Sequence, residues 1–255
     1  MLLFSVRRST FSPVYPPTLS HYKEFFTTPV YLRLLLESAW VALQTAVVTI
    51  LLAYPLAYYL IFHAGKYRLV MLSFLILPAW TSYLLRVLAW KVILGSNGII
   101  NTLLLSLGWI DEGVPIFLYS QSAVIITLVY VWIPYAALPI FSTLERIDKK
   151  LLEASQDLGA TPLRTFFKIT LPLSMPGLIS AFFFVFIPTL GEWVTPALIG
   201  GTDGIMYGNL IQNQFLRGLN WPMGTVMSTV LLLIVFVFTL FFNRYVTMKE
   251  MSSLA

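Results

Sequence analysis

Residues 34–62 read LLLESAWVALQTAVVTILLAYPLAYYLIF and carry one charge, Glu37, close to the start. A bilayer core about 30 Å thick is crossed by about 20 apolar residues in a helix, so this stretch can span one with some tilt. Four others share its character: 69–94, where Arg86 and Lys91 fall towards the far end, and the uncharged stretches 117–141, 170–190 and 223–242. Within lipid every backbone polar group must be satisfied inside the segment. Five clear spans of this length therefore predict an all-α membrane protein.

Composition agrees. Hydrophobic residues make up 58% of the 255 and charged residues only 11%, against about 25% charged in soluble domains, which argues against a water-soluble globule. The excess of 16 Lys and Arg over 11 Asp and Glu needs no nucleic acid to explain it, because in such a chain the placement of cations matters more than their sum. There is no Cys, which removes disulfides, thiol nucleophiles and thiolate metal sites. His21 and His63 lie in separate polar stretches. A membrane metalloenzyme or a Ser-His hydrolase is thereby disfavoured.

Cations orient the spans, because Lys and Arg are retained on the cytoplasmic side of short loops. Lys66 and Arg68 sit in the loop 63–68; Arg146, Lys149, Lys150, Arg164 and Lys168 in the loop 142–169; Arg244 and Lys249 near the end. The other side holds Arg217 and, at a rim, Lys91. The expected topology places 63–68, 142–169 and the C-terminus in the cytoplasm. It divides the chain into an N-terminal segment 1–33, a transmembrane domain 34–246 and a cytoplasmic tail 247–255. Arg7, Arg8, Lys23 and Arg33 conflict with this, since they would lie outside. Two readings of the apolar start Met1 to Val6 stay open: a remnant of an upstream span, or an ordinary hydrophobic start to a surface segment.

Pro55, Pro78, Pro134, Pro139, Pro172, Pro176 and Pro188 lie inside or at the ends of the first four spans. Proline kinks a helix and frees a carbonyl, which suits helices around a path, although proline is common in membrane helices generally. The most informative segment is Leu144 to Pro172. Leu144, Ile147, Leu151, Leu152 and Leu158 recur at helical spacing with Glu145, Arg146, Asp148, Lys149 and Lys150 between them, so one face is apolar and the other solvated. Gly159 supplies a left-handed closing position. Thr161 is a good N-cap and Pro162 fits the first helical position, so a second short helix is expected to start there and reach Leu171-Pro172.

The run Glu153-Ala154-Ser155, three residues, Gly159, nine residues, Ile169, one residue, Leu171-Pro172 resembles the E-A-A signature loop of the membrane subunits of binding-protein-dependent ABC importers. Ser155 in place of the usual second alanine is its one departure. The resemblance implies a coupling helix docked on a cytoplasmic ATPase subunit, with Glu153, Ala154, Ser155, Asp157, Gly159 and Ala160 at the contact. It extends over roughly residues 20–245. Tyr54-Pro55-Leu56-Ala57-Tyr58, Leu77-Pro78-Ala79-Trp80-Thr81-Ser82, Gly191-Glu192-Trp193, Gly200-Gly201 and Asn220-Trp221-Pro222 are similar to the spermidine/putrescine permease branch, the first of its two paired membrane subunits. The implied fold is that of a type I ABC importer, with the family's usual first span apparently missing.

The chain has no Gly-rich Lys-Ser/Thr loop to hold a nucleotide phosphate. The resemblance accordingly implies no catalytic group, metal or cofactor in this chain, with ATP and Mg on a partner ATPase dimer. It also implies a second permease and a periplasmic or extracellular substrate-binding protein, for which Asp111, Glu112, Asp203 and Arg217 in the outer loops 95–116 and 191–222 are charged docking candidates. A polycation would be passed by isolated carboxylates and aromatic faces. Glu192 is the best-placed carboxylate, beside Trp193; Trp80 and Tyr83 follow by the same aromatic logic. The competing expectation for Glu192 is a helix cap or a partner for Arg86 or Arg217, and Glu37 reads as a rim residue. The same family includes importers of opines, other cations and oligosaccharides. A secondary transporter is the rival class, disfavoured because no carboxylate sits at a span centre.

Overall fold

The computed structural model describes residues 2–11, 17–112 and 118–252, of which residues 2 and 241–252 are described as backbone alone. The described residues are helical, and no strand occurs among them. The helices are α1 Leu2–Ser5, α2 Ser20–Thr27, α3 Pro29–Phe62, α4 Arg68–Ile76, α5 Tyr83–Leu94, α6 Ile99–Ser106, α7 Gln121–Glu145, α8 Lys149–Asp157, α9 Pro162–Thr165, α10 Leu171–Leu190, α11 Tyr207–Leu216 and α12 Trp221–Ser252. Among the described residues five stretches are long and apolar enough to cross a membrane: Pro29–Phe62, Tyr83–Ser106, Gln121–Glu145, Pro162–Leu190 and Trp221–Leu240.

Two boundaries differ instructively from the expected spans. The stretch 69–94 is not one helix. A 3-10 turn at Leu77–Trp80 follows α4, and Thr81 leaves the helical region with ψ 155°, because Pro78 has no N–H to continue the ladder. The qualifying stretch is instead Tyr83–Ser106, bent by a turn between α5 and α6. The fourth span starts earlier than residue 170, since α9 runs through a π-helical turn, Phe166–Thr170, directly into α10. Residue 117 of the third expected span, residues 113–116 of the expected outer loop and residues 253–255 of the expected tail lie outside the described residues.

The chain groups into two compact units, one of residues 38–205 and one of residues 1–37 with 206–255. In the first, Ala46, Ala53, Ala57, Tyr54, Leu60 and Ile61 of α3 pack with Ala136, Ala137, Ile140, Phe141 and Leu144 of α7 and with Ala181 and Val185 of α10. Lipid tails are as apolar as leucine, so membrane helices associate through close packing of small residues and through interhelical hydrogen bonds. Both devices are present. A Cβ on Gly177 of α10 would stand 2.6 Å from Thr143 Oγ1 and 2.7 Å from the Pro139 carbonyl oxygen of α7, so this crossing admits only glycine. Tyr54 Oη and Ser174 Oγ lie 3.0 Å apart in the interior, joining α3 to α10.

In the second unit Phe25, Leu35, Tyr207, Met223, Val226 and Met227 form the core. The Tyr207 hydroxyl donates to the Met227 carbonyl at 3.0 Å, and burial pushes its pKa above the usual tyrosine range. Phe25 stacks on Tyr31 with ring centroids 5.8 Å apart. Thr10 Oγ1 accepts the Trp221 N–H at 3.1 Å and donates to the Leu219 carbonyl, so part of the expected segment 1–33 packs at the start of α12. Glu37 pairs with Arg33 at 2.7 Å on an exposed face.

Candidate functional site: a coupling segment and an intramembrane polar cluster

The segment from Asp148 to Thr165 is shaped almost wholly by local signals. Asp148 caps α8, its Oδ1 accepting the Lys150 N–H at 3.0 Å. Gly159 ends it at φ +80° with open space where a Cβ would stand, so conformation rather than crowding selects glycine. The Ala160 N–H then donates to the Ser155 carbonyl at 3.1 Å. Thr161 Oγ1 accepts the Arg164 N–H at 3.3 Å, and Pro162 occupies the first turn of α9. Gly159, Thr161 and Pro162 stand where the sequence placed them, while the Asp148 cap was not foreseen.

The faces of this segment divide differently from the periodic pattern. Leu144 and Ile147 are buried, and Leu152 and Phe166 pack on the core of the first unit. Leu151, Leu158 and Leu163 are exposed, Leu158 to 90%. Glu153, Ala154, Asp157 and Gly159 are exposed as well, while Ser155 and Ala160 are half-buried. The result is a short helix presenting apolar side chains and free carboxylates on one projecting feature. Ser155 has a role that its smallness did not suggest: its hydroxyl lies 2.8 Å from Thr165 Oγ1 and ties α8 to α9. Nothing in the spacing singles out Thr165. Near the same ends of α4 and α7, Arg68 pairs with Glu145 at 2.9 Å.

At the other end of α10 lies a polar cluster inside the first unit. Glu192 Oε1 accepts three backbone N–H groups, from Trp193 at 3.1 Å, Val194 at 2.8 Å and Thr195 at 3.2 Å. It thus caps the helical turns that follow, which end in a π-helical turn, Pro196–Gly200. A carboxylate at a helix N-terminus is favoured both by the orphan N–H groups and by the dipole. Thr195 Oγ1 lies 2.5 Å from the Tyr83 hydroxyl, and that hydroxyl also interacts with the Glu192 carboxylate. The Arg86 guanidinium stands 5.9 Å from the Tyr83 ring centroid. Glu192 and Arg86 form no ion pair within 4.0 Å among the described residues.

Of the path candidates, the structure brings Tyr83 and Glu192 together. Trp80 sits 83% exposed on its 3-10 turn, and Trp193 is 43% exposed. Asp111, Glu112, Asp203 and Arg217 are all exposed. Thr195 is a contributor that sequence reading missed, since a threonine 112 residues from Tyr83 carries no local signal.

The profile of the family described as "binding-protein-dependent transport system inner membrane component" matches residues 27–249. The chain belongs to that family. Among its relatives, the spermidine/putrescine transport system permease protein PotB of Haemophilus influenzae is 37% identical over 228 residues, 88% of this chain and 79% of the relative. PotB of Escherichia coli is 39% identical over 217 residues, 85% and 78% of the two chains. The inner membrane ABC transporter permease protein YdcU of Escherichia coli is 30% identical, covering 89% of this chain and 75% of the relative. Among solved structures, a bacterial ABC transporter that imports the acidic polysaccharide alginate superposes with a TM-score of 0.75 at 17% identity, over 96% of this chain and 86% of the other. That likeness establishes the fold. The protein is a multi-pass inner-membrane permease of the ABC-transporter class, with the all-helical architecture of a type I importer.

Proposed function

We propose that this permease forms half of the translocation path for polyamines, spermidine and putrescine, in an ABC importer, and that α8 couples it to the cytoplasmic ATPase. The observation that carries the substrate is the 37–39% identity to spermidine/putrescine permeases over most of the chain. The exposed α8, preset by Asp148, Gly159 and Thr161, supports the coupling role through Glu153, Ala154, Ser155, Asp157, Gly159 and Ala160. Two ATPase subunits holding ATP and Mg close on the coupling helices of two paired permeases, and the spans rock between inward-open and outward-open arrangements. A substrate-binding protein delivers its cargo to the opposite face, where Asp111, Glu112, Asp203 and Arg217 are the charged docking groups.

The topology that goes with this reading puts α8 and the C-terminus in the cytoplasm, as the cation distribution favours. Within the membrane, Glu192 with Tyr83, Trp80 and Trp193 offers a carboxylate and aromatic faces to ammonium groups. The test is import into vesicles holding the whole complex: spermidine and putrescine uptake that needs ATP, the binding protein and this permease is expected. Uptake of an oligosaccharide or an opine instead would overturn the substrate. A tag at Lys150 is expected to be reached from the cytoplasmic side only; periplasmic access would overturn the topology.

A further inference from the structure

Arg86 is the most costly side chain in the membrane-embedded part of the first unit. It lies on α5, inside a stretch apolar enough to cross a membrane, and is only 8% exposed. Its Nε has no hydrogen-bond partner, and its Nη1 reaches the Val131 carbonyl only at 3.5 Å. No carboxylate comes within 4.0 Å of it among the described residues. Glu192, which shares Tyr83 with it, spends Oε1 on three backbone N–H groups. A guanidinium buried in a membrane helix is expensive unless paired, and such groups mark functional contacts.

Arg86 lines an open cleft of about 390 Å³ beside Thr81, Leu85, Ala89, Trp90 and Tyr130. The cleft begins at the start of α5, where Ser82 provides no side-chain cap, so the positive end of a helix dipole adds to the charge of Arg86. Flanking it, Leu84, Leu85, Leu88 and Val92 form an exposed apolar face, with Leu85 at 64% and Val92 at 71%. The cleft therefore combines a buried cation, a helix N-terminus and a leucine-rich flank.

We infer that this cleft is the seat of a carboxylate side chain, Asp or Glu, on a membrane helix of the paired permease subunit. The inference rests on the importer reading above, which supplies the paired subunit. Charge complementarity selects the occupant. A polyamine is repelled by both Arg86 and the helix end, so the cleft is not its path. An anionic lipid headgroup fits less well: Arg86 lies eight residues, about 12 Å of helix, from the end of α5 at Leu94, and on its other side residues 69–80 continue the apolar run. A headgroup would meet Lys91 first. A carboxylate on a neighbouring helix reaches that depth without leaving its own backbone.

The experiment uses the complete complex, in which this permease is co-expressed with its ATPase, its paired permease and its binding protein. Arg86→Met removes the charge. Ala89→Trp fills the cleft from its exposed side and leaves Arg86 in place. Both are expected to insert normally and to lower the recovered paired permease per inserted chain by about tenfold or more, with Arg86→Lys recovering part of the loss. Because the chain has no cysteine, Leu85→Cys carries a photo-activated thiol cross-linker at one position, and its adduct is expected on the paired permease. Undiminished assembly with both Arg86→Met and Ala89→Trp would overturn the inference. An adduct on phospholipid, with bound lipid falling in Arg86→Met while assembly holds, would overturn it in favour of a lipid. If assembly falls as expected but the wild-type complex does not import polyamines, the substrate reading fails and the cleft assignment stands.

Discussion

The α8 segment and the polar cluster around Glu192 are built by opposite means. Between Asp148 and Thr165 nearly every fixed contact joins residues close in sequence: Asp148 to Lys150, Thr161 to Arg164, Ser155 to Ala160 and Thr165. In the cluster, Tyr83 meets Thr195 across 112 residues and Arg86 meets Val131 across 45. The first region keeps its shape while its surface stays open, as a docking element must. The second exists only once α5, α7 and α10 have assembled: Tyr83, Thr195 and Glu192 are committed to one another or to backbone, whereas Arg86 keeps an Nε without a partner, a costly arrangement in a lipid environment.

That contrast is broken most directly by Glu153→Lys. The carboxylate is exposed and supports no fold contact, so insertion and thermal stability should stay at wild-type level. Placed in a desolvated interface, the reversed charge costs several kcal/mol, and ATP-driven uptake is expected to fall about a hundredfold. Normal uptake in assembled complexes would remove α8 from the coupling interface. Gly159→Val comes next. At φ +80° a β-branched residue costs about 1–3 kcal/mol, and the misdirected chain should reduce uptake about tenfold, with ATP hydrolysis no longer tied to transport.

Glu192→Gln sharpens the comparison from the other side. The amide oxygen can still accept the N–H groups of Trp193, Val194 and Thr195, so the cap largely persists, weakened by about 1 kcal/mol through loss of charge at the helix start. Assembly should hold within about twofold of wild type. Uptake is expected to fall more for spermidine than for putrescine, because more ammonium groups must be lodged in partly desolvated surroundings. Equal losses for both, tracking assembly, would assign Glu192 to capping alone. The smallest effect is expected from Ser155→Ala, which deletes the hydroxyl facing Thr165 and costs about 1 kcal/mol in a melting experiment, with uptake within about twofold. A larger loss would mean that the α8–α9 bond holds the docking shape.

The two regions also differ in how far the sequence reveals them. Hydrophobic run length found four of the membrane-crossing stretches, apolar spacing with the closing Gly159 found α8, and Thr161-Pro162 found the start of α9, because each is a rule about neighbours in the chain. The break after Pro78 was visible as a proline but not as the end of a helix: whether a helix kinks or stops depends on what receives its freed carbonyls. The continuity of α9 with α10 was hidden because a π-helical turn has no compositional signature. The cap formed by Glu192 was one of the expected outcomes, but the partners of Tyr83 and Arg86 were not legible, since pairing across the bundle is decided by helix rotation, which a near-uniform apolar sequence leaves unspecified. Arg86 left a trace only as one of two cations, with Lys91, within an apolar stretch.

The unbroken helical run from Pro162 to Leu190 has a mechanical meaning. At 1.5 Å per residue its 29 residues form a rod about 43 Å long. One end begins beside the closing turn after α8 and the other delivers the chain to the Glu192 cap. On the proposed coupling reading, a tilt applied at Pro162 would reach the far end of this run as the stroke of a lever. Gly177, pressed against Thr143 and Pro139, sits roughly half way along, where such a lever would have its fulcrum. Pro176 and Pro188, inside the same run, are the points where the rod can bend instead of turning.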